Sequence, residues 1–213
     1  MTSVLRFLFY AVFIRSIVLI VLGLNVRHRE RLPRSGPAII VANHNSHLDT
    51  MVLMSLFPLK LLPKLQPVAA MDYFLTSRLF SWFTLKIVGI LPIKRTVARG
   101  DENPLAPCIK ALADGQILLV FPEGSRGEPE QLQSFKGGIA RLAEGNPATP
   151  VVPVFLHGLG KALPKGEALL VPFFCDIFIG APLAWTGDRR SYMRLLDEEM
   201  KKLAAEGNFP PWE

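Results

Sequence analysis

Ala38-Ile39-Ile40-Val41-Ala42-Asn43-His44-Asn45-Ser46-His47-Leu48-Asp49 is the stretch that decides the architecture. Five apolar residues without alternation read as a strand buried on both faces, the pattern of a parallel strand in an α/β sheet. A dense polar cluster follows at once. The same arrangement recurs downstream, where the apolar run Gln116 to Phe121 gives way to Pro122-Glu123-Gly124-Ser125-Arg126. Open α/β sheets keep their active sites at the ends of buried strands. The first run supplies a base and the second an anion clamp, which points to transfer chemistry on a charged substrate.

Working outward, apolar and amphipathic segments alternate. After Ala38 to Ala42, a helix is predicted from His47 to Phe57, stopped by Pro58. A short strand over Val68 to Met71 precedes an apolar helix from Phe74 to Val88, and Gly89 to Lys94 is strand-like. Pro104 to Ala113 reads as a helix ended by Gly115, Gly137 to Glu144 as a helix ended by Gly145 and Asn146, and Val151 to Leu156 as a strand. Ala168 to Ile179 gives one or two strands more, and Arg190 to Glu206 a charged amphipathic closing helix. Strands alternating with helices predict an α/β fold, a single sheet of mixed strands covered by helices.

The chain has 213 residues, enough for one domain with a sizeable core. Half the residues are hydrophobic and the net charge is +6. Mean hydropathy is +0.30, oily for a soluble enzyme and too polar for a protein of many spans. A basic surface suits nucleic acid or anionic lipid, and the oily composition favours lipid. No module interleaving basic and aromatic residues is present, so no nucleic-acid partner is expected. Cys108 and Cys175 are the only cysteines, with no C-x-x-C spacing, which excludes a disulfide framework and a Cys-rich zinc site.

Val4 to Leu24 is apolar nearly all round but carries Arg6, Arg15 and Ser16. A signal peptide would need a small-residue cleavage site, and none follows. A spanning helix would place Arg15 in the bilayer centre. The segment is therefore read as a membrane-anchoring helix lying in one leaflet, with Arg15 snorkelling to headgroups. Arg27, Arg29, Arg31 and Arg34 put this end on the cytoplasmic face of the cell membrane. The turn-rich Leu32-Pro33-Arg34-Ser35-Gly36-Pro37 divides the chain into an anchor, residues 1–31, and a catalytic domain, residues 32–213.

His44 and Asp49 stand five positions apart, about 140° around a regular helix, so they cannot share a helical face. They meet only if His44 precedes the helix and Asp49 lies in its first turn. Ser46 followed three residues later by Asp49 is a capping-box arrangement that produces this. Asp49 would then fix the His44 tautomer, leaving the other nitrogen as a general base. The plain alternative is a capped helix with His44 as a turn residue. A zinc reading of His44, His47 and Asp49 also exists, though His28 and His157 offer little further ligation. In the second run, Arg126 is a planar fork suited to phosphate. Glu123 would either position Arg126 or accept a hydrogen bond from a substrate hydroxyl. Lys94-Arg95 ends another strand, and Phe135-Lys136-Gly137-Gly138 opens a helix, where anions are favoured. Each of these basic residues taken alone also fits a solvated surface charge.

With these residues in view, the chain resembles the lysophosphatidate acyltransferase family (1-acylglycerol-3-phosphate acyltransferases). The family block N-H-x-S-x-x-D is matched by Asn43, His44, Ser46 and Asp49. A glycine with arginine six residues later is matched by Gly89 and Arg95. F-P-E-G-T-R-S is matched at Phe121, Pro122, Glu123, Gly124 and Arg126, with Ser125 for threonine and Gly127 for the final serine. Val152-Pro153-Val154 is the fourth block, and Ser134-Phe135-Lys136-Gly137-Gly138 a further element without its proline.

The resemblance implies a glycerolipid acyltransferase-like fold. It implies acyl transfer from acyl-CoA or acyl carrier protein to a lysophospholipid hydroxyl, most naturally lysophosphatidate giving phosphatidate. It assigns His44 as base and Asp49 as its orienting partner. Glu123, Gly124, Ser125 and Arg126 would hold the acceptor headgroup, with Arg95 and Lys136 assisting. No metal and no cofactor beyond the thioester co-substrate is implied, and the partners are membrane lipids and the acyl carrier. A thioesterase, a zinc hydrolase and a non-catalytic lipid-binding module are the competing readings.

Overall fold

The structure is a computed structural model that describes residues 2–74, 77–94, 103–127, 131–163 and 171–209. Seven strands form one sheet: β1 Leu22–Arg27, β2 Ala38–Ala42, β3 Leu65–Ala70, β4 Leu91–Ile93, β5 Ile117–Val120, β6 Val151–His157 and β7 Phe173–Ile179. Their order across the sheet is β1-β7-β6-β2-β5-β3-β4. Every neighbouring pair is parallel except β6 and β7. The sheet is therefore mixed, as expected.

Burial on both faces explains the unbroken apolar strands. Every residue of β2 is buried. Its even-numbered residues, with Ile117 and Leu119 of β5, face a core closed by the helix Leu48–Ser55 and by Tyr10 and Ile14 of the amino-terminal helix. Ile39, Val41 and Leu118 face the other way, into a core closed by the helices Ala106–Ala113, Gly138–Gly145 and Arg189–Glu206. A strand with no solvent side carries no polar alternation.

The register places the two polar runs side by side. β2 pairs with β5 in parallel from Ala38↔Ile117 to Val41↔Val120. Both strands therefore end on the same edge of the sheet, and residues 43–49 and 121–127 leave it together. β6 flanks β2 on its other side, from Ile39↔Val151 to Ala42↔Val154.

The amino-terminal helix runs over Thr2–Val21, about 30 Å at 1.5 Å per residue, long and apolar enough to cross a bilayer. It does not stand clear of the domain. Its inner face is docked through Tyr10, whose hydroxyl meets Met54 Sδ at 2.9 Å, and through Arg6, whose guanidinium donates to Leu65 O at 2.9 Å and Val88 O at 3.2 Å. Its outer face is bare: Leu19 and Ile20 are 80 % and 82 % exposed. Gly89 adopts φ +81°, and the Arg6 guanidinium lies where a Cβ would project, so only glycine fits there.

The domain boundary differs from the expected one. Leu22–Arg27, assigned from sequence to the anchor, is the edge strand β1, paired with β7 from Leu22↔Phe173 to Arg27↔Phe178. The period-two pattern was there, with Leu22, Leu24 and Val26 on the core side and Gly23, Asn25 and Arg27 on the other. It was concealed because Leu22 and Leu24 continue the apolar run of the helix. β3 also begins earlier than expected, at Leu65, because Pro67 breaks the apparent apolar run without ending the strand.

Candidate active site

The first polar run is built from a strand end upward. Asn43, fully buried, donates from Nδ2 to Leu156 O and accepts from Leu156 N, both at 2.8 Å. Its amide acts as one more rung between β2 and β6, after the backbone has begun to turn away. Asp49 lies in the first turn of Leu48–Ser55 and reaches back. Its Oδ2 accepts from Ser46 N at 2.9 Å, Asn45 N at 2.7 Å and His44 Nδ1 at 2.8 Å. The capping box and the imidazole partnership are thus formed by the same oxygen. Ser46 Oγ accepts from Leu48 N and donates to Leu163 O, tying the turn to the segment beyond β6.

The dyad has a buried end and an open end. The Asp49 side chain is 1 % exposed and that of His44 is 19 % exposed. With a carboxylate as acceptor, the proton sits on Nδ1, and Nε2 keeps its lone pair. The exposed part of the ring is the side away from Asp49, which carries Nε2.

The second run grips the same histidine. The Phe121 ring stacks on the His44 imidazole at 4.2 Å between centroids. The Glu123 carboxylate accepts from His44 N at 3.2 Å and from Gln133 N at 3.3 Å, and Gly127 N donates to His44 O at 2.9 Å. His44 is therefore held at its N–H, its C=O, its ring face and its Nδ1. Glu123 is 3 % exposed, and burial pushes its pKa up to about 7, against the lowering effect of the two N–H bonds.

This changes the role read for Glu123. The sequence assigned it to Arg126 or to a substrate hydroxyl, but both carboxylate oxygens are engaged by backbone N–H groups. A carboxylate between β2 and β5 joins the two polar runs more directly than it contacts any ligand. Gly124, at φ +78°, makes the turn, and the Lys136 side chain lies over it where a Cβ would project. Lys136 N donates to Pro122 O at 2.9 Å, which brings the lysine to the loop.

Arg126 is half-buried and Ser125 exposed at the cleft edge. The Arg126 guanidinium acts on His47. Burial first, then the charges of Arg126 and His44, hold the His47 imidazole below its usual 6.5, with Asp49 opposing. The structure thus gathers His44, Asp49, Glu123, Gly124, Ser125, Arg126 and Lys136 at one end of two adjacent strands. Arg95 lies outside the described residues. Sequence reasoning quoted Asn43, Phe121 and Gly127 as motif positions but gave them no task, and it did not include Gln133. Among the described residues, no three His, Cys, Asp or Glu side chains gather with the spacing of a metal site.

The Acyltransferase family matches residues 23–157, which enclose every one of these side chains. The chain belongs to the Acyltransferase family. Among its relatives is the 1-acyl-sn-glycerol-3-phosphate acyltransferase LPAT1 of Arabidopsis thaliana, 33 % identical over 68 % of this chain and 38 % of the relative. The corresponding BAT2 protein of Brassica napus is 30 % identical over 87 % of this chain and 51 % of its own length. That of Pseudomonas aeruginosa is 30 % identical over 76 % and 60 %. The chain thus spans from under four-tenths to six-tenths of the length of these relatives. The crystal structure of the 1-acyl-sn-glycerophosphate (LPA) acyltransferase PlsC from Thermotoga maritima shares the fold. Its TM-score is 0.76 at 22 % identity, covering 98 % of this chain and 80 % of that one.

Within this acyltransferase fold, the family match begins at the edge strand β1 and leaves out the amino-terminal helix, β7 and the helix Arg189–Glu206. β7 and that last helix nevertheless close the sheet around β6, so the matched region is not a structural unit by itself.

Proposed function

We propose that this chain is an O-acyltransferase that moves an acyl group from a thioester, acyl-CoA or acyl carrier protein, to the free hydroxyl of a lysophospholipid. Lysophosphatidate, giving phosphatidate, is the acceptor that best suits the site. The observation that carries this reading is the 2.8 Å contact between His44 Nδ1 and a buried Asp49 oxygen, with the far side of the ring open.

His44 Nε2 takes the proton of the acceptor hydroxyl as its oxygen attacks the thioester carbonyl. Asp49 holds the ring in the reactive tautomer and stabilises the imidazolium as it forms. The new C–O bond replaces the C–S bond, and the departing thiolate takes the proton from His44. A thiolate leaves readily, so the step needs no acyl-enzyme. Arg126 and Lys136 are suited to the acceptor phosphate, one as a planar fork and the other as a point charge. Burial raises the Glu123 pKa to about 7, which thins the negative charge that would otherwise oppose a phosphate.

The amino-terminal helix serves as an interfacial anchor ending at Val21, not as a span. Its inner face is fixed to the domain by Arg6, Tyr10 and Ile14, and its outer face offers Val4, Leu5, Leu8, Val12, Leu19 and Ile20 to lipid. Arg29 and Arg31 donate to Leu56 O and Ile179 O, so part of the arginine cluster is structural. The cluster as a whole places this end on the cytoplasmic side.

The test is an acyl-transfer assay of the full chain in mixed micelles. Acyl-CoA and acyl-carrier-protein donors are crossed with lysophosphatidate, other lysophospholipids and glycerol phosphate. Transfer to a lysolipid that vanishes in a folded His44→Ala variant supports the assignment. Thioester hydrolysis at the same rate with and without acceptor would replace it by a thioesterase.

A further inference from the structure

His47 lies three positions past His44, at the entry to the helix Leu48–Ser55. Its neighbours Asn45 and Ser46 are turned inward, at 3 % and 0 % exposed, whereas His47 is exposed at the edge of the cleft. The Gly127 N–H bond to His44 O pins the backbone next to Arg126 onto the turn that carries both histidines. Charge effects fall off with distance, so the action of Arg126 and His44 on His47 puts imidazole and guanidinium on one side of the cleft. Lys136 comes to the same loop over Gly124.

We propose that His47 is the headgroup selector of this site, forming with Arg126 a two-part clamp that favours a phosphate monoester over a phosphodiester. The proposal rests on the acyltransferase reading above and refines it. A phosphodiester presents two non-bridging oxygens and a single charge, which the Arg126 fork satisfies alone. A monoester adds a third terminal oxygen and, above its second pKa near 6, a second charge. That oxygen has His47 beside it.

The proton follows from the charges that face His47, namely Arg126, His44 and Asp49. In the empty site Arg126 disfavours the imidazolium, and the ring is neutral near pH 7. A bound dianion reverses the local field, and His47 takes one proton from solvent and donates a charged hydrogen bond. Binding of a monoester therefore consumes a proton. Its affinity falls as pH rises above the free His47 pKa, while binding of a diester is indifferent to this group.

The experiment uses the full chain in detergent micelles. Calorimetric titration with lysophosphatidate at pH 7.0, in buffers of different ionisation enthalpy, gives the protons taken up. Acyl transfer gives kcat and KM for lysophosphatidate and lysophosphatidylcholine. The wild-type protein is expected to take up a substantial fraction of one proton. His47→Gln should lose that uptake, and its preference for the monoester should fall about tenfold, through KM and not kcat. His47→Arg should keep the preference without proton uptake, which separates loss of charge from loss of fold. Unchanged uptake and unchanged preference in His47→Gln would overturn the assignment. Arg126→Ala tests the underlying reading separately, because it should weaken both acceptors. If it weakens neither, the headgroup site itself is misplaced.

Discussion

Replacing Glu123 by glutamine should make this protein more stable as pH rises. The carboxyl is 3 % exposed, and its pKa rises from 4.5 to about 7, chiefly through burial. Between those values the folded chain keeps a proton that the unfolded chain has released. A group of this kind contributes stability that is fully present below pH 4.5 and lost as pH climbs through 7. At about 1.4 kcal/mol per pH unit, the whole interval is worth about 3 kcal/mol. About 2–3 kcal/mol of it falls between pH 5 and 8.5. Glutamine has nearly the same shape and no charge to desolvate. Its single oxygen can serve only one of the two N–H groups of His44 and Gln133, so the variant starts about 1 kcal/mol behind at pH 5. It should overtake the wild-type protein near neutrality and lead by about 1–2 kcal/mol at pH 8.5. Urea unfolding in a mild detergent, run for both proteins at half-unit pH steps, gives the difference directly, with titration of all other groups cancelled. In melting temperature the relative gain is roughly 5–10 °C across the range. A difference that does not change with pH would refute the reasoning, and so would a wild-type protein that gains on the variant as pH rises.

Three further outcomes follow from the same geometry. Asp49→Asn should leave His44 in place but favour the wrong tautomer, with kcat for acyl transfer falling roughly 10³- to 10⁴-fold while acceptor KM changes little. Asn43→Ala removes both hydrogen bonds to Leu156 and strands a buried N–H and C=O, so urea unfolding should show a loss of about 2–4 kcal/mol. Gly124→Ala forces a side chain onto φ +78° and into the space of Lys136; stability should fall by about 1–2 kcal/mol and acceptor KM should rise as the lysine is displaced.

Much of this architecture could be read from the chain, and the gaps have definite causes. Central strands such as Ala38–Ala42 and Ile117–Val120 declare themselves because burial on both faces leaves no polar residue in them. The His44–Asp49 contact was accessible too, since a capping box confines a chain to one local geometry. β1 was not, because an edge strand has only one buried face and its alternation merged with the helix ahead of it. The inward side of the amino-terminal helix was equally hidden. Arg6 differs from Arg15 only in meeting the carbonyls of Leu65 and Val88, and no local pattern announces partners 59 and 82 residues away.

Glu123 is the most instructive case. Read locally, a carboxylate beside Arg126 looks like its ion-pair partner or a substrate contact. Strand adjacency decides otherwise: β2 and β5 are neighbours, so the loop after one lies against the turn after the other. Glu123, Phe121 and Gly127 all act on His44, through its N–H, its ring and its C=O. General-base catalysis depends on where Nε2 sits, and a misplacement near 1 Å can cost about two orders of magnitude in rate. A histidine in a turn has no ladder of backbone hydrogen bonds to hold it, so that precision has to come from outside its own segment. The Phe121 to Arg126 run is therefore as much the support of the base as the receptor of the headgroup. Substitutions there should lower kcat where they loosen His44, at Phe121 and Glu123, and raise acceptor KM where they face the cleft, at Arg126.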